Sequence, residues 1–190
     1  MKKIALLFVM AGGLLTAQTK NLKVEKANIN WWGYKVMKSD ASSHNGTLNL
    51  KDGTVILKKN QLAGGTFVLD MTSINATDLT GEYQTKLNNH LKNGDFFEVE
   101  KYPTGSFKIT SLKKTGKADY NYLVTGALTV KGKTNTVTFP AKVSVNKEGV
   151  SLTSDKFSID RQKWDIAYQS SMKDVVIKDD MDLQVSFTAK

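Results

Sequence analysis

The sequence predicts a mainly β protein, an antiparallel up-and-down barrel of about eight strands with one helix between two of them. Three observations favour this fold. Apolar and polar residues alternate along several long segments, which is the period of a half-buried strand. Turn-forming residues separate these segments at hairpin spacing, and a single stretch carries a helical period. A sandwich is the alternative, but long strands joined by tight turns favour a closed barrel whose lumen can hold a ligand.

Residues 1–17 have the layout of a secretory signal peptide. Two lysines form a basic start, an apolar run extends from Ile4 to Leu15, and Ala17 supplies a small residue before Gln18. The run is shorter than the ~20 residues that a spanning helix needs. We therefore expect cleavage, a periplasmic or secreted protein, and a single domain over residues 21–190.

Charge and cysteine content limit the possible functions. The chain has no cysteine, so disulfides, thiol nucleophiles and cysteine metal sites are excluded. Loss of the two N-terminal lysines takes the net charge from +9 to +7, since 25 basic residues then face 18 acidic ones. The lysines are scattered near turns, so we expect no nucleic-acid binding. Transient attraction to an anionic membrane surface is the partner that this charge allows.

The first half of the chain is read as strands joined by turns. Residues 22–35 form the first strand, and the polar segment 37–46 is predicted to be a loop. Asp52-Gly53 is a strong hairpin-turn signal between two short strands over residues 47–58. The next strand spans residues 62–71.

One helix follows this strand. Tyr83, Leu87 and Leu91 lie at i, i+4 and i+8, so they are predicted to share the buried side of the helix. Asn93-Gly94 predicts its end, because either residue accepts a left-handed backbone. We expect this helix to plug or cover the sheet.

The second half returns to alternating segments, separated by short turns and by an irregular stretch over residues 161–173. The predicted strands are residues 104–112, 120–130, 136–145, 150–160 and 180–190.

No residue pattern predicts catalysis or a metal site. Ser43, His44 and Asp70 could be combined into a triad, but no nucleophile-elbow pattern surrounds the serine. His90 lies on the helix and is expected to be a partly buried imidazole rather than a metal ligand. We therefore predict a protein that is not an enzyme.

Arg161 is the one charged residue in a suggestive place, at a strand end near Trp164. It could hold an anionic head group through bidentate bonds. The alternative is an ion pair that fixes the barrel rim.

Five sequence runs together resemble the YceI-like lipid- or polyisoprenoid-binding family. They are Gly64 to Ile74, Lys86 to Phe107, Val124 to Gly132, Phe157 to Arg161 and Val176 to Asp180. The block H-L-x-x-x-D-F-F-x-x-x-x-Y-P within the second run is specific, and the resemblance covers essentially residues 21–190. It implies an extended lipocalin-like antiparallel β-barrel, periplasmic or secreted, whose apolar lumen holds a polyprenyl phosphate or an isoprenoid quinone.

On this reading the protein carries or stores a long apolar lipid, with no other cofactor. Burial of each CH₂ is worth ~0.8 kcal/mol, so a tail of about ten carbons can outweigh the entropy of capture. The expected ligand contacts are the wall, the lid and the rim of the lumen. The wall is Phe67, Leu69, Met71, Phe107, Ile109, Leu128 and Val130, the lid is Leu87, Leu91, Phe96 and Phe97, and the rim is Arg161 and Trp164.

A second class of function fits the same strands. An eight-stranded barrel can be filled by its own side chains. The protein would then be an envelope stress or interaction module without a ligand. A monomer and a dimer are both compatible with the sequence.

Overall fold

A computed structural model describes residues 18–37 and 40–190, so the predicted signal peptide at residues 1–17 lies outside the described residues. The strands are β1 Thr19–Met37, β2 Asp40–Lys58, β3 Gln61–Ala76, β4 Thr104–Lys114, β5 Tyr122–Val130, β6 Lys133–Asn146, β7 Gly149–Ser154, β8 Phe157–Asp160 and β9 Val175–Ala189. Helix α1, Gly81–Lys92, lies between β3 and β4, and a 3₁₀ turn, Arg161–Trp164, follows β8.

These strands form one antiparallel sheet that closes on itself. Each strand from β1 to β6 pairs with the next, and β9 joins β7 to β1. β8 also pairs with β9, further along that strand, so β7 and β8 share one position in the wall. The wall therefore has eight strand positions. This confirms the predicted lipocalin-like barrel with one helix between two strands, although the strand predicted over 150–160 is interrupted between β7 and β8.

Strict alternation places the apolar side chains inside the barrel. Along β5 every second residue from Tyr122 to Val130 is buried, and the residues between them are half-buried. Thr125 and Thr129 lie on the outer face, where their hydroxyls contact Thr138 and Thr134 of β6. The two-residue period read from the sequence therefore separates the lumen from the outer surface.

β2 is longer than predicted at its start. The segment 37–46 was expected to be a loop, but β1 continues to Met37 and β2 begins at Asp40. The pairing of β1 with β2 includes Lys35 with Ser42. Exposed serines fit a strand here because the ladder uses backbone groups and asks nothing of the side chains.

The predicted hairpin turn at Asp52-Gly53 is wrong. β2 runs straight through these residues, and its register with β3 shifts between Leu50 and Asp52. A Cβ atom on Gly53 would lie 2.8 Å from a methyl carbon of Val24. The glycine therefore permits close packing beside β1, and the signal that suggested a turn marks a bulge.

Helix α1 is attached mainly by its C-terminal half. Leu91 is buried and Leu87 is half-buried, as predicted, but Tyr83 is 74% exposed. The earlier turns are held by polar contacts instead: the Gln84 side-chain amide donates to the Ala76 carbonyl at 2.7 Å. The helix ends at Asn93, which is extended rather than left-handed. No helix in the described part of the chain is both long and apolar enough to cross a bilayer.

Candidate functional site

Three cavities follow one another along the barrel interior. The order is visible on β1, where Ala27 lines only the deepest cavity, Ile29 lines the deepest and the middle ones, and Trp31 lines the middle one and the cavity at the mouth. Their volumes are about 100 Å³ for the deep cavity, 70 Å³ for the middle cavity and 250 Å³ for the mouth cavity. The candidate site is this row of spaces.

The deep cavity is lined almost wholly by apolar side chains, with Ser186 as the one polar residue type in its wall. Aromatic rings cross it as a connected belt. The ring centroids are 5.1 Å apart for Phe67 and Phe187, and 5.8 Å apart for Phe107 and Phe139. Such tilted pairs favour an ordered apolar wall over a loosely packed one.

The middle cavity lies between β3, β5 and the 3₁₀ turn. Trp164 lines it and is buried, and its indole N–H donates to the Leu128 carbonyl at 3.0 Å. This bond satisfies the one polar atom of the ring, so the indole presents an apolar surface to the cavity.

The side chains that line two neighbouring cavities lie between them. Leu69, Leu128 and Leu183 line both the deep and the middle cavity, whereas Ile74 and Phe97 line both the middle and the mouth cavity. Each inner space is smaller than the ~150 Å³ of a cavity that holds a benzene ring. A continuous chain can therefore occupy all three spaces only if these dividing side chains change rotamer.

The mouth cavity is covered by α1 on one side and by the segment after the 3₁₀ turn on the other. Leu87 and Leu91 of α1 line it, together with Ile166 and Tyr168. His90 stands between aromatic rings, with centroids 5.0 Å from Phe96 and 4.6 Å from Tyr168. Its Nε2 lies 3.1 Å from an Asp95 carboxylate oxygen. The histidine is therefore packed into the lid, as predicted.

Basic side chains surround the same mouth. Lys35, Lys178 and His44 line the cavity. His44 lies on β2, and its Nδ1 is 2.8 Å from an Asp78 carboxylate oxygen. Partial burial alone would raise the pKa of Asp78, but hydrogen bonds from His44 and from the Asn45 backbone outweigh it and lower that pKa.

Arg161 is 3% exposed and its donors are already engaged. Nε donates to the Lys178 carbonyl at 3.1 Å, Nη1 to the Ile166 carbonyl, and Nη2 to the Asp179 carboxylate at 3.0 Å. Burial lowers the pKa of the guanidinium, against the raising effect of nearby Asp179 and Asp160. This is the ion pair that fixes the rim, the alternative left open by the sequence. A head-group role for Arg161 would require it to release these partners.

The residues predicted from the sequence come together in the interior. Contact with a ligand stays a prediction for each of them. Phe67, Phe107 and Ile109 line the deep cavity, Leu69 and Leu128 the deep and middle, Met71, Val130 and Trp164 the middle, Phe97 and Arg161 the middle and mouth, and Leu87, Leu91 and Phe96 the mouth.

Several lining residues were not predicted. The inward face of β9, including Met181, Leu183 and Phe187, lines the cavities. Its unbroken alternation was a signal that could have found them. Ile166 and Tyr168 lie in irregular chain after the 3₁₀ turn, where no period assigns a side chain to the interior.

No cluster of three or more His, Cys, Asp or Glu side chains that could hold a metal ion occurs within residues 18–37 and 40–190. The arrangement offers apolar enclosure with basic groups at its opening. It is the arrangement of a lipocalin-like barrel.

The chain belongs to the YceI-like family. The family model described as YceI-like domain matches residues 21–189. Among curated relatives, Protein YceI of Escherichia coli O6:H1 is 31% identical over 137 residues, which cover 72% of this chain and 64% of that protein. A UPF0312 protein of Pseudomonas putida F1 is 47% identical over 60 residues, which span 32% of this chain and 29% of that protein.

Solved structures share the fold at low sequence identity. BcnA of Burkholderia cenocepacia has a TM-score of 0.65 at 20% identity, with 86% of this chain and 96% of that chain covered. A polyisoprenoid binding domain from Saccharophagus degradans, implicated in plant cell wall breakdown, has a TM-score of 0.58 at 11% identity, with 92% and 99% covered.

Proposed function

We propose that the protein binds a long-chain apolar lipid of the polyisoprenoid or isoprenoid quinone type in the barrel interior, and carries or stores it without catalysis. The observation that carries this proposal is the row of three apolar cavities beneath α1. The solved domain described as polyisoprenoid binding, which shares the fold, supports it. The tail would lie along the deep and middle cavities, and the polar end of the lipid at the mouth.

The driving force is removal of the tail from water. At ~0.8 kcal/mol for each buried CH₂, a ten-carbon segment contributes about 8 kcal/mol. This is comparable to the cost of fixing a free molecule in a site. The affinity for the lipid then depends on whether the side chains that divide the cavities can change rotamer to admit the tail.

Organic extraction of freshly purified protein, followed by mass spectrometry, tests the proposal. The native protein should release one class of long-chain lipid at close to one molecule per chain. Leu69→Trp should release much less, because Leu69 lines both inner cavities and the larger ring obstructs the passage between them. Leu123→Trp is the matched control, since Leu123 lies on the outer face of β5. Absence of lipid from the native protein, or equal loss from both variants, contradicts the proposal.

The alternative is an interaction module whose barrel holds no ligand. The small volumes of the inner cavities, about 100 and 70 Å³, favour it, since neither has room for a long tail unless side chains move. In that case the extraction yields nothing and Leu69→Trp changes only stability.

We further propose that the protein is exported and acts in the periplasm or outside the cell. The signal-peptide layout of residues 1–17 supports this. N-terminal sequencing of the protein from the secreted or periplasmic fraction should begin at Gln18. Recovery of the full chain in the cytoplasm would contradict export.

A further inference from the structure

Solvent-exposed apolar side chains are concentrated at the barrel mouth. Met37, Met172 and Val176 are 41%, 64% and 57% exposed. They are three of the five large hydrophobic residues that are exposed among those the structure describes, and Ile56 and Tyr83 are the others. Single exposed apolar residues are ordinary, but several at one place on a surface call for an explanation.

These three residues, called the apolar tip here, are neighbours in the fold. On β1 and β9, Val36 pairs with Val176 and Met37 pairs with Val175. The Val175 N–H donates to the Met172 carbonyl at 3.1 Å. Met172 and Val175 also line the mouth cavity, so the apolar tip is continuous with the interior.

The apolar tip stands on a projection of the wall. The pairing of β2 with β3 ends at Gly46 and Ala76, whereas the pairing of β1 with β2 continues to Met37 and Asp40. β9 accompanies β1 to the same level. Six residues of strand advance about 20 Å, so β1, β2 and β9 extend well beyond the end of β3.

Lysines surround the apolar tip. Lys35 and Lys178 line the mouth cavity, and Lys173 follows Met172 in the chain. Of the carboxylates on this side, Asp179 is bound by Arg161 at 3.0 Å and Asp78 by His44 at 2.8 Å. Asp174 and Asp40, which pairs with Met37, add two further negative charges, so the three lysines outnumber these two carboxylates by one in the described part of this rim.

We propose that the apolar tip and Lys35, Lys173 and Lys178 form a docking surface for an anionic lipid bilayer. The apolar tip enters the boundary between head groups and acyl chains, and the lysines contact the phosphates. The mouth cavity is then held against the membrane. This inference rests on the proposed function, because docking is useful to a protein that binds lipid. A lipid tail that passes directly from the bilayer into the barrel does not cross water.

A bilayer fits this surface better than a protein partner does. The apolar tip is three side chains on or beside the projection formed by β1, β2 and β9. A specific protein interface needs about 800 Å² of complementary surface on each partner. A bilayer needs only apolar side chains that can insert and positive charges that can follow the head groups.

Vesicle co-sedimentation tests the proposal with the mature protein purified from cells that express the full chain. The vesicles are phosphatidylcholine alone, or phosphatidylcholine with about one third phosphatidylglycerol. One variant removes the rim charges (Lys35→Gln, Lys173→Gln, Lys178→Gln), and a second removes the apolar tip (Met37→Ser, Met172→Ser, Val176→Ser). The matched control removes three exposed lysines at the opposite end of the barrel (Lys20→Gln, Lys58→Gln, Lys147→Gln).

The native protein should bind the anionic vesicles and lose that binding in about 0.5 M salt, where charges are screened beyond a few Å. The variant without the rim lysines and the variant without the apolar tip, together called the rim variants, should each bind at least about tenfold more weakly than the native protein. Binding by the control variant should weaken less than about twofold. An equal loss in the rim and control variants, unchanged binding in the rim variants, or no binding by the native protein overturns the proposal.

A separate measurement keeps this result distinct from the proposed function. Binding of a fluorescent prenyl probe by delipidated protein is measured without vesicles. If probe binding persists while vesicle binding is absent, docking is wrong and the lipid-binding proposal stands. If vesicle binding depends on the rim but no probe is bound, the docking surface stands without a cargo. Circular dichroism spectra of the variants should match the native spectrum.

Discussion

Arg161 shows how a single buried charge can order the mouth of the barrel. Its guanidinium joins the 3₁₀ turn to the start of β9 through the Lys178 carbonyl and the Asp179 carboxylate. It also holds the Ile166 carbonyl in the segment that covers the mouth cavity. One residue therefore fixes three pieces of chain that surround the opening.

Replacement of Arg161 by Leu should lower the free energy of unfolding by about 2–4 kcal/mol. The substitution leaves buried carbonyl groups and a carboxylate without their donor. Urea denaturation measures the change, and Lys163→Leu, an exposed position in the same turn, is the control. If Arg161→Leu is as stable as the native protein, the arginine does not hold the rim.

A second residue-scale feature is the bonded cluster around Asp182 on the outside of the wall. Its carboxylate accepts from the Tyr34 hydroxyl at 2.6 Å and from the Ser158 hydroxyl, and Lys156 Nζ lies 3.5 Å away. The same Nζ lies 4.0 Å from the centre of the Trp32 ring. Partial burial alone would raise the pKa of Asp182, but the bonds from Ser158 and Tyr34 outweigh it and lower that pKa.

The sign of this shift predicts a pH dependence. A lowered pKa means that the folded state stabilises the charged carboxylate. That contribution is complete above the unfolded-state pKa of about 3.9 and is lost as the pH falls through the lowered folded-state value. Asp182→Asn should therefore cost about 1–2 kcal/mol at neutral pH and much less near pH 2. Urea denaturation at the two pH values measures this, and an equal cost at both contradicts the electrostatic account.

The residue scale also shows what the sequence could not supply. The sequence placed Arg161 at a strand end, and it left open whether the residue binds a ligand or an ion-pair partner. The structure shows the ion pair with Asp179 and the bonds to the Ile166 and Lys178 carbonyls, and no side-chain pattern reveals those carbonyls.

At the scale of elements, α1 is a lightly attached cover. Leu91 is its one buried residue, and hydrogen bonds to the end of β3 supply much of the remaining attachment of the helix to the barrel. The Asn88 side chain accepts from the Ala76 backbone N–H and donates to the Asn75 side chain, both at 2.8 Å. Elements with few buried apolar contacts open locally at low free-energy cost. This suits a lid that admits a long ligand.

Asn88→Ala should loosen the lid without unfolding the barrel. Loss of the two bonds should weaken helix attachment by about 1–2 kcal/mol, so the amides of residues 81–92 should exchange roughly tenfold faster or more. Hydrogen exchange read by mass spectrometry measures this, with the peptides of β5 and β6 as internal controls. Uniformly faster exchange across the barrel would mean that α1 is part of the global core instead.

Elements differed in how well the sequence predicted them. The alternation of β5 placed Leu128 and Val130 correctly on the inner face, because one face of that strand is buried along its whole length. Asp52-Gly53 misled because the same dipeptide serves a turn and a bulge, and the choice depends on the neighbouring Val24 of β1. Tyr83 misled because the first three residues of α1 are exposed, so the apolar period of the helix is not buried at its N-terminus.

At the scale of the whole molecule, closure between β1 and β9 makes the interior. Residues far apart in the chain, such as Ile29, Leu128 and Leu183, meet only because the sheet closes. The sequence predicted the closed barrel from strand length and turns. It could not predict that the interior is divided into three spaces, since that depends on rotamers of side chains from opposite walls.

Photo-crosslinking with a photoreactive prenyl probe tests most directly whether the tail lies inside the barrel. The delipidated native protein, labelled and digested, should carry the probe on inward residues of β3 and β9 such as Met71 and Leu183. Excess unlabelled prenol should suppress that label, and Leu69→Trp should abolish it. Labels confined to the outer face, or labels that unlabelled prenol does not displace, would contradict an internal lipid site.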